Sequence, residues 1–166
     1  MRRFLSLLLL VAIGFTAGCG RKEITALQRK EAANLVSEAQ FALTLRDYAR
    51  AEPLLAKATS LSPDAPELWQ SLGAVRRKLG NKGGAKDAYS QMFDAAKDQY
   101  KADATKTDAL FQQIYALALL GRADDARAAL AKAQKNHPDD RAINAFADSK
   151  QLDRILEDPA FKELAI

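Results

Sequence analysis

The 166-residue sequence has one cysteine, one histidine and one tryptophan. A lone cysteine rules out a disulfide framework within the chain. With one Cys and one His, no Cys–His or multi-histidine metal site can form, so no metal or cofactor is expected. Proline and β-branched residues are sparse while Ala and Leu are abundant, a mixture that favours helix over strand. No apolar run reaches the roughly 20 residues that a membrane-spanning helix needs. Charge of one sign is missing as well. The formal net charge of +4 falls to +2 once Arg2 and Arg3 are set aside, and acidic and basic residues are interspersed. That distribution leaves no electrostatic footprint for nucleic acid. With 48% hydrophobic and 28% charged residues, the chain suits one folded domain or one short repeat array.

The first residues are organised differently from the rest. Arg2 and Arg3 form a positive head, and Phe4 to Phe15 is an apolar run broken only by Ser6 and Gly14. Head and run have the layout of a secretory signal. Thr16-Ala17-Gly18-Cys19 then resembles the bacterial lipobox, with Thr16 where Leu is usual. The resemblance implies cleavage after residue 18 and fatty acylation of Cys19, with palmitate-type chains. Two or more such chains anchor a protein stably on a bilayer. In enterobacteria-like sorting, Gly20 after the cysteine implies the outer membrane, facing the periplasm. The alternative is an ordinary cleaved signal followed by a free thiol.

Beyond this segment the sequence repeats itself. Ala51 to Ala85, Leu55 to Tyr89 and Leu45 to Leu79 are each separated by 34 residues. Trp69-x-x-Leu72-Gly73 opens the second unit, and Ala126 and Leu130 mark a third. Small residues such as Gly73, Ala51, Ala85 and Ala126 suit a close approach of two helix backbones, and Trp69, Leu72 and Tyr89 fill the space around it. Gly80 and Gly121 sit where a left-handed helix end favours glycine. Pro63 and Pro138 follow helix ends that they cannot continue. The pattern resembles the tetratricopeptide repeat (TPR), a helix pair of this period. It implies an all-α, right-handed solenoid of about three helix pairs, in place of a generic helical bundle.

The expected boundaries are a signal peptide over 1–18, a lipidated helical lead-in over 19–31, and repeats over 32–65, 66–100 (with an insertion to 106) and 107–138. The third repeat is seven residues out of step: Ala85 to Ala126 spans 41. Seven residues are about two helical turns, so they lengthen a helix without rotating its apolar face. Thr105-x-x-Asp108 reads as the next helix start. Residues 139–166 are expected to form capping helices. Asp158-Pro159-Ala160-Phe161-Lys162-Glu163-Leu164 resembles the tail that closes many bacterial TPR arrays, which implies a lid over the flank of the third repeat; a disordered tail is the alternative.

Nothing in the sequence marks catalysis. His137 precedes Pro138 at a helix end, and Gly80 to Lys86 lacks the Gly-Lys-Ser/Thr ending of a phosphate loop. By resemblance, ligand-facing positions lie on the first helix of each pair: Val36, Ser37, Gln40, Thr44, Gln70, Ser71, Arg77, Lys78, Phe111, Gln112 and Tyr115. Amides suit an extended backbone, aromatics supply area at small entropic cost, and Arg77 with Lys78 makes a basic end suited to an acidic segment. The carboxylate clamp of chaperone-binding TPR proteins is missing, since Val36 with Gln40, Ser71, and Asp108 with Gln112 stand at its positions. The function expected is a membrane-anchored adaptor in the cell envelope that binds a protein or peptide partner. The alternatives are a pilus or outer-membrane assembly factor, a cell-wall enzyme accessory and a self-associating module.

Overall fold

Helix starts in this chain follow local capping chemistry. A computed structural model describes residues 23–166, and every regular element among them is a helix. Helix α1 (Ala26–Thr44) opens with a reciprocal capping box between Thr25 and Gln28. Asp47 caps α2 (Tyr48–Leu61), and Asn81 caps α4 (Lys82–Ala102). Asp140 caps α7 (Arg141–Asp148), and Asp158 caps α9 (Pro159–Leu164). Proline at the first position starts α3 (Pro66–Lys78), where its missing amide costs nothing. Acidic residues fill the first turns of α5 (Thr107–Leu119) and α6 (Ala123–Asn136). The short α8 (Gln151–Glu157) follows α7.

One expected start is corrected. Thr105 does not cap α5: its amide and hydroxyl both donate to Asp103, at 3.0 and 2.6 Å, and the helix begins two residues later. The competing local turn wins because the aspartate lies only two residues back.

Helices pack against their sequence neighbours, α1 with α2, α3 with α4 and α5 with α6, and each pair contacts the next. Ala51, Ala85 and Ala126, on the second helix of each pair, are fully buried. The seven extra residues continue α4, which has 21 residues where α2 and α6 have 14 each. One buried cluster gathers Ala39, Ala42, Ala51, Leu55, Leu72, Val75 and Ala88. The other includes Tyr89, Met92, Ile114, Leu130 and tail residues, and Trp69 packs against both.

The three pairs end their first helix in the same way. Asp47, Asn81 and Arg122 each donate a backbone N–H to the carbonyl five residues earlier, on Ala42, Arg76 and Leu117. That closure needs a left-handed residue just before the donor. Gly80 and Gly121 supply it with φ of 77° and 71°, but in the first pair the position is Arg46, at φ 58°. A side chain there is disfavoured by about 1–2 kcal/mol. Arg46→Gly is therefore expected to stabilise the chain by about 0.5–1 kcal/mol, after the added unfolded-state entropy of glycine. Thermal melting checks this, and a lowered melting temperature would contradict it.

The residues after α6 do not stop at the flank of the third pair. Helix α7 packs on α6 and buries Ile143. Lys150 then takes a left-handed conformation, φ 51°, and turns the chain into α8. Helix α9 comes to rest against α3. The expected lid thus extends past the third pair and lies across the first helices of the second and third pairs. The reason is chemical fit: α3 and α5 offer cations and an aromatic ring to the tail.

Candidate functional site

The face shared by α1, α3 and α5 carries the residues expected to meet a partner, and the tail already engages four of them. Arg77 donates from Nε to the Leu164 carbonyl at 3.2 Å and from its terminal nitrogen to the Glu163 carbonyl at 3.0 Å. Lys78 Nζ pairs with Glu163 Oε2 at 2.8 Å. The acidic segment that meets the basic end of α3 is thus the chain's own. Tyr115 meets the Phe161 ring edge-on at 5.4 Å, and Phe111 stacks on Phe146 at 4.6 Å. The Ile166 amide donates to the Leu119 carbonyl at 2.8 Å.

Phe161 is the buried side chain of α9. Burying a phenylalanine contributes about 1.5–3 kcal/mol, so it is the main apolar anchor of this six-residue helix. The Lys78–Glu163 pair is solvent-exposed and adds little by itself. It still holds the Glu163 carboxyl below, and the Lys78 ammonium above, their ordinary ranges through mutual hydrogen bonding.

Tyr89 was legible in the sequence only as a packing residue. Its ring is fully enclosed, and its hydroxyl donates to the Leu164 carbonyl at 3.0 Å. Burial pushes the phenol up to about 12, partly opposed by the nearby Arg77 charge. Burial also raises the Tyr115 phenol, with a smaller contribution from Asp158.

Two clefts are lined jointly by this face and by tail residues. The larger, of about 510 Å³, is lined by Gln70, Phe111, Gln112 and Tyr115 from the expected set, and by Phe146, Gln151, Leu152 and Ile155 from the tail. The smaller, of about 290 Å³, lies among Leu43, Tyr48, Gln70, Ser71, Lys78 and Leu164. Gln70 lines both. Gln40 is exposed on α1 and lines neither cleft. Val36 is partly buried, and Ser37 and Thr44 are exposed with hydroxyls bonded to carbonyls of their own helix. Sequence reasoning missed the tail's contribution to the larger cleft. The signal was present in Ile143, Phe146 and Ala147, spaced three and four apart on one face of α7.

Other features are structural. Trp69 Nε1 donates to the Pro63 carbonyl at 2.9 Å, tying α3 to the preceding turn. Arg76 bridges Glu52 at 2.8 Å and the Gly84 carbonyl at 3.1 Å, linking α2 to the start of α4. His137 Nε2 lies 2.9 Å from the Tyr100 hydroxyl, joining the end of α6 to the extension of α4. Among the described residues no group of three or more His, Cys, Asp or Glu converges as a metal site, and no helix is long and apolar enough to cross a membrane. The signal-like segment and Cys19 lie outside the described residues.

No protein-family model and no curated protein matches the chain.

Proposed function

We propose that this chain is a non-catalytic, TPR-like adaptor, held on an envelope membrane through acylated Cys19, whose α1/α3/α5 face takes a peptide segment of a partner protein. The observation that carries this reading is the cleft of about 510 Å³ beside the tail, whose lining combines the aromatic rings of Phe111 and Tyr115 with the side-chain amides of Gln70 and Gln112. A cleft of that size with few polar groups is the usual form of a recognition site. Side-chain amides can donate to and accept from a peptide backbone at once. The 34-residue spacing and the pairing of neighbouring helices support the repeat reading. The signal-like start and the single cysteine after Ala17-Gly18 support the anchor.

The test is crosslinking in native membranes with the full chain, comparing the unaltered protein with Gln70→Ala/Gln112→Ala. Neither glutamine is among the residues that bond or stack with the tail. Loss of two amide contacts, each contributing about 1 kcal/mol, should lower recovery of crosslinked partners by roughly tenfold or more. Undiminished recovery by the folded double variant would reject the cleft as the binding site.

A further inference from the structure

We propose that residues 158–166 are an exchangeable occupant of the α3/α5 face, and that the partner segment this face accepts shares their chemistry: a short helix with an aromatic residue, an acid two positions later and a leucine one further on. The proposal rests on the reading of this face as a protein-binding surface, and it adds the partner's pattern and the gate.

The groups that hold α9 form a receptor with four separate elements. Tyr115 takes the aromatic ring of Phe161, and Lys78 takes the Glu163 carboxylate. Arg77 and the Tyr89 hydroxyl take the carbonyls of Glu163 and Leu164. Carbonyls at a helix end have no partner within their own helix, so these donors would serve any helix ending at this place. Selectivity falls to the ring and the carboxylate, at Phe161 and Glu163.

Phe161 joins the second buried cluster, with Tyr89 and Ile114, but the rest of the attachment is slight. Helix α9 is six residues long and buries one side chain, Phe161. Its ion pair is open to solvent, with 40% and 67% of the Lys78 and Glu163 side chains exposed. The position of the tail also matters. Of residues 158–166, Leu164 walls the smaller cleft, whereas Leu152 and Ile155 of α8 wall the larger, and Gln70 borders both. Departure of 158–166 would therefore open the smaller cleft, along Leu43 of α1 and Gln70 of α3, and leave α8 in place beside the larger.

The test is fluorescence anisotropy with a labelled synthetic peptide of the sequence Glu157–Ile166, titrated into the full chain. A tethered segment competes at an effective concentration on the order of millimolar, so the unaltered protein should bind the peptide weakly. Phe161→Ala removes the apolar anchor and Glu163→Lys sets a cation against Lys78 and Arg77, so each loosens the tethered tail and leaves the receptor intact. Both variants should bind the peptide at least about tenfold more tightly than the unaltered chain. Adding Arg77→Ala to either should remove that gain. Glu163→Lys lies at an exposed position, so it keeps the test valid if Phe161→Ala folds poorly by circular dichroism. Equal binding to the unaltered and loosened chains, no binding to a folded loosened chain, or a gain that survives Arg77→Ala would each overturn the proposal. A dimer of the unaltered protein that Phe161→Ala dissolves would show the tail passing between copies, and would overturn the tethered form. The titration uses no cellular partner, so it can fail while the crosslinking result stands, and the reverse.

Discussion

Gly73→Ala is expected to destabilise the chain by about 2 kcal/mol, although alanine is the better helix former. Intrinsic propensity alone would favour the substitution by about 1 kcal/mol. Packing opposes it. A Cβ on Gly73 would fall within contact distance of Tyr89 Cε1, 2.5 Å from Cδ1 and 2.9 Å from Cζ. The ring cannot swing aside, because it is fully enclosed and its hydroxyl is bonded to the Leu164 carbonyl. Overpacking of a closed site costs about 1–3 kcal/mol and at times more, which here exceeds the propensity gain. For a domain of this size the melting temperature should fall by about 4–8 °C. The clash is specific to one ring, so Tyr89→Leu in the same chain should make room for the Cβ. The double variant should lose at least about 1 kcal/mol less than the sum of the two single losses. A melting temperature raised by Gly73→Ala, or strict additivity with Tyr89→Leu, would show that the contact does not limit packing.

The same pair of residues shows what could be read from the sequence. Gly73 and Tyr89 were recognisable as a small residue facing a large one, because both sit in a repeating pattern of neighbouring helices. Gly80 and Gly121 were recognisable as left-handed helix ends, and both have positive φ. Arg46, at the matching place in the first pair, was not, because an arginine gives no sign that its backbone is left-handed. The phase of the α4 extension followed from counting turns, since an added stretch of two turns leaves the apolar face in place.

The candidate site was less legible, because its decisive contacts are remote in sequence. Lys78 and Glu163 lie 85 positions apart. A basic end on α3 shows that an acid is wanted and says nothing about which one supplies it. Resemblance placed the tail on the flank of the third pair. Its return onto α3 depends on the left-handed turn at Lys150 and on complementarity with Tyr115 and Arg77, none of which is a local property. Gln70 and Gln112 were expected on this face and line its open cleft, and Arg77, Lys78, Phe111 and Tyr115, expected to face a partner, contact the chain's own tail.

Phe161→Ala should weaken docking of α9 by about 3 kcal/mol, the low end of the range for truncating a buried phenylalanine, because this site lies at the surface of the core. The loss is expected to be local. Helix α9 hangs from Asp158 and contacts α3, α5 and α8, and Phe161 alone of its residues joins the buried cluster of Tyr89 and Ile114, whereas the cluster of Leu55, Leu72 and Val75 contains no tail residue. Amide exchange separates local from global loss, because segments open with their own free energies. The Ile166 amide, bonded to the Leu119 carbonyl only while the tail is docked, is the most direct reporter. A change of 3 kcal/mol corresponds to about a hundredfold faster exchange there. Amides within α1 to α4 should keep their protection. If Phe161→Ala instead accelerated exchange across α3 to α6 in step with Ile166, the tail would belong to the same cooperative unit as the core, and it could not leave the face without unfolding it.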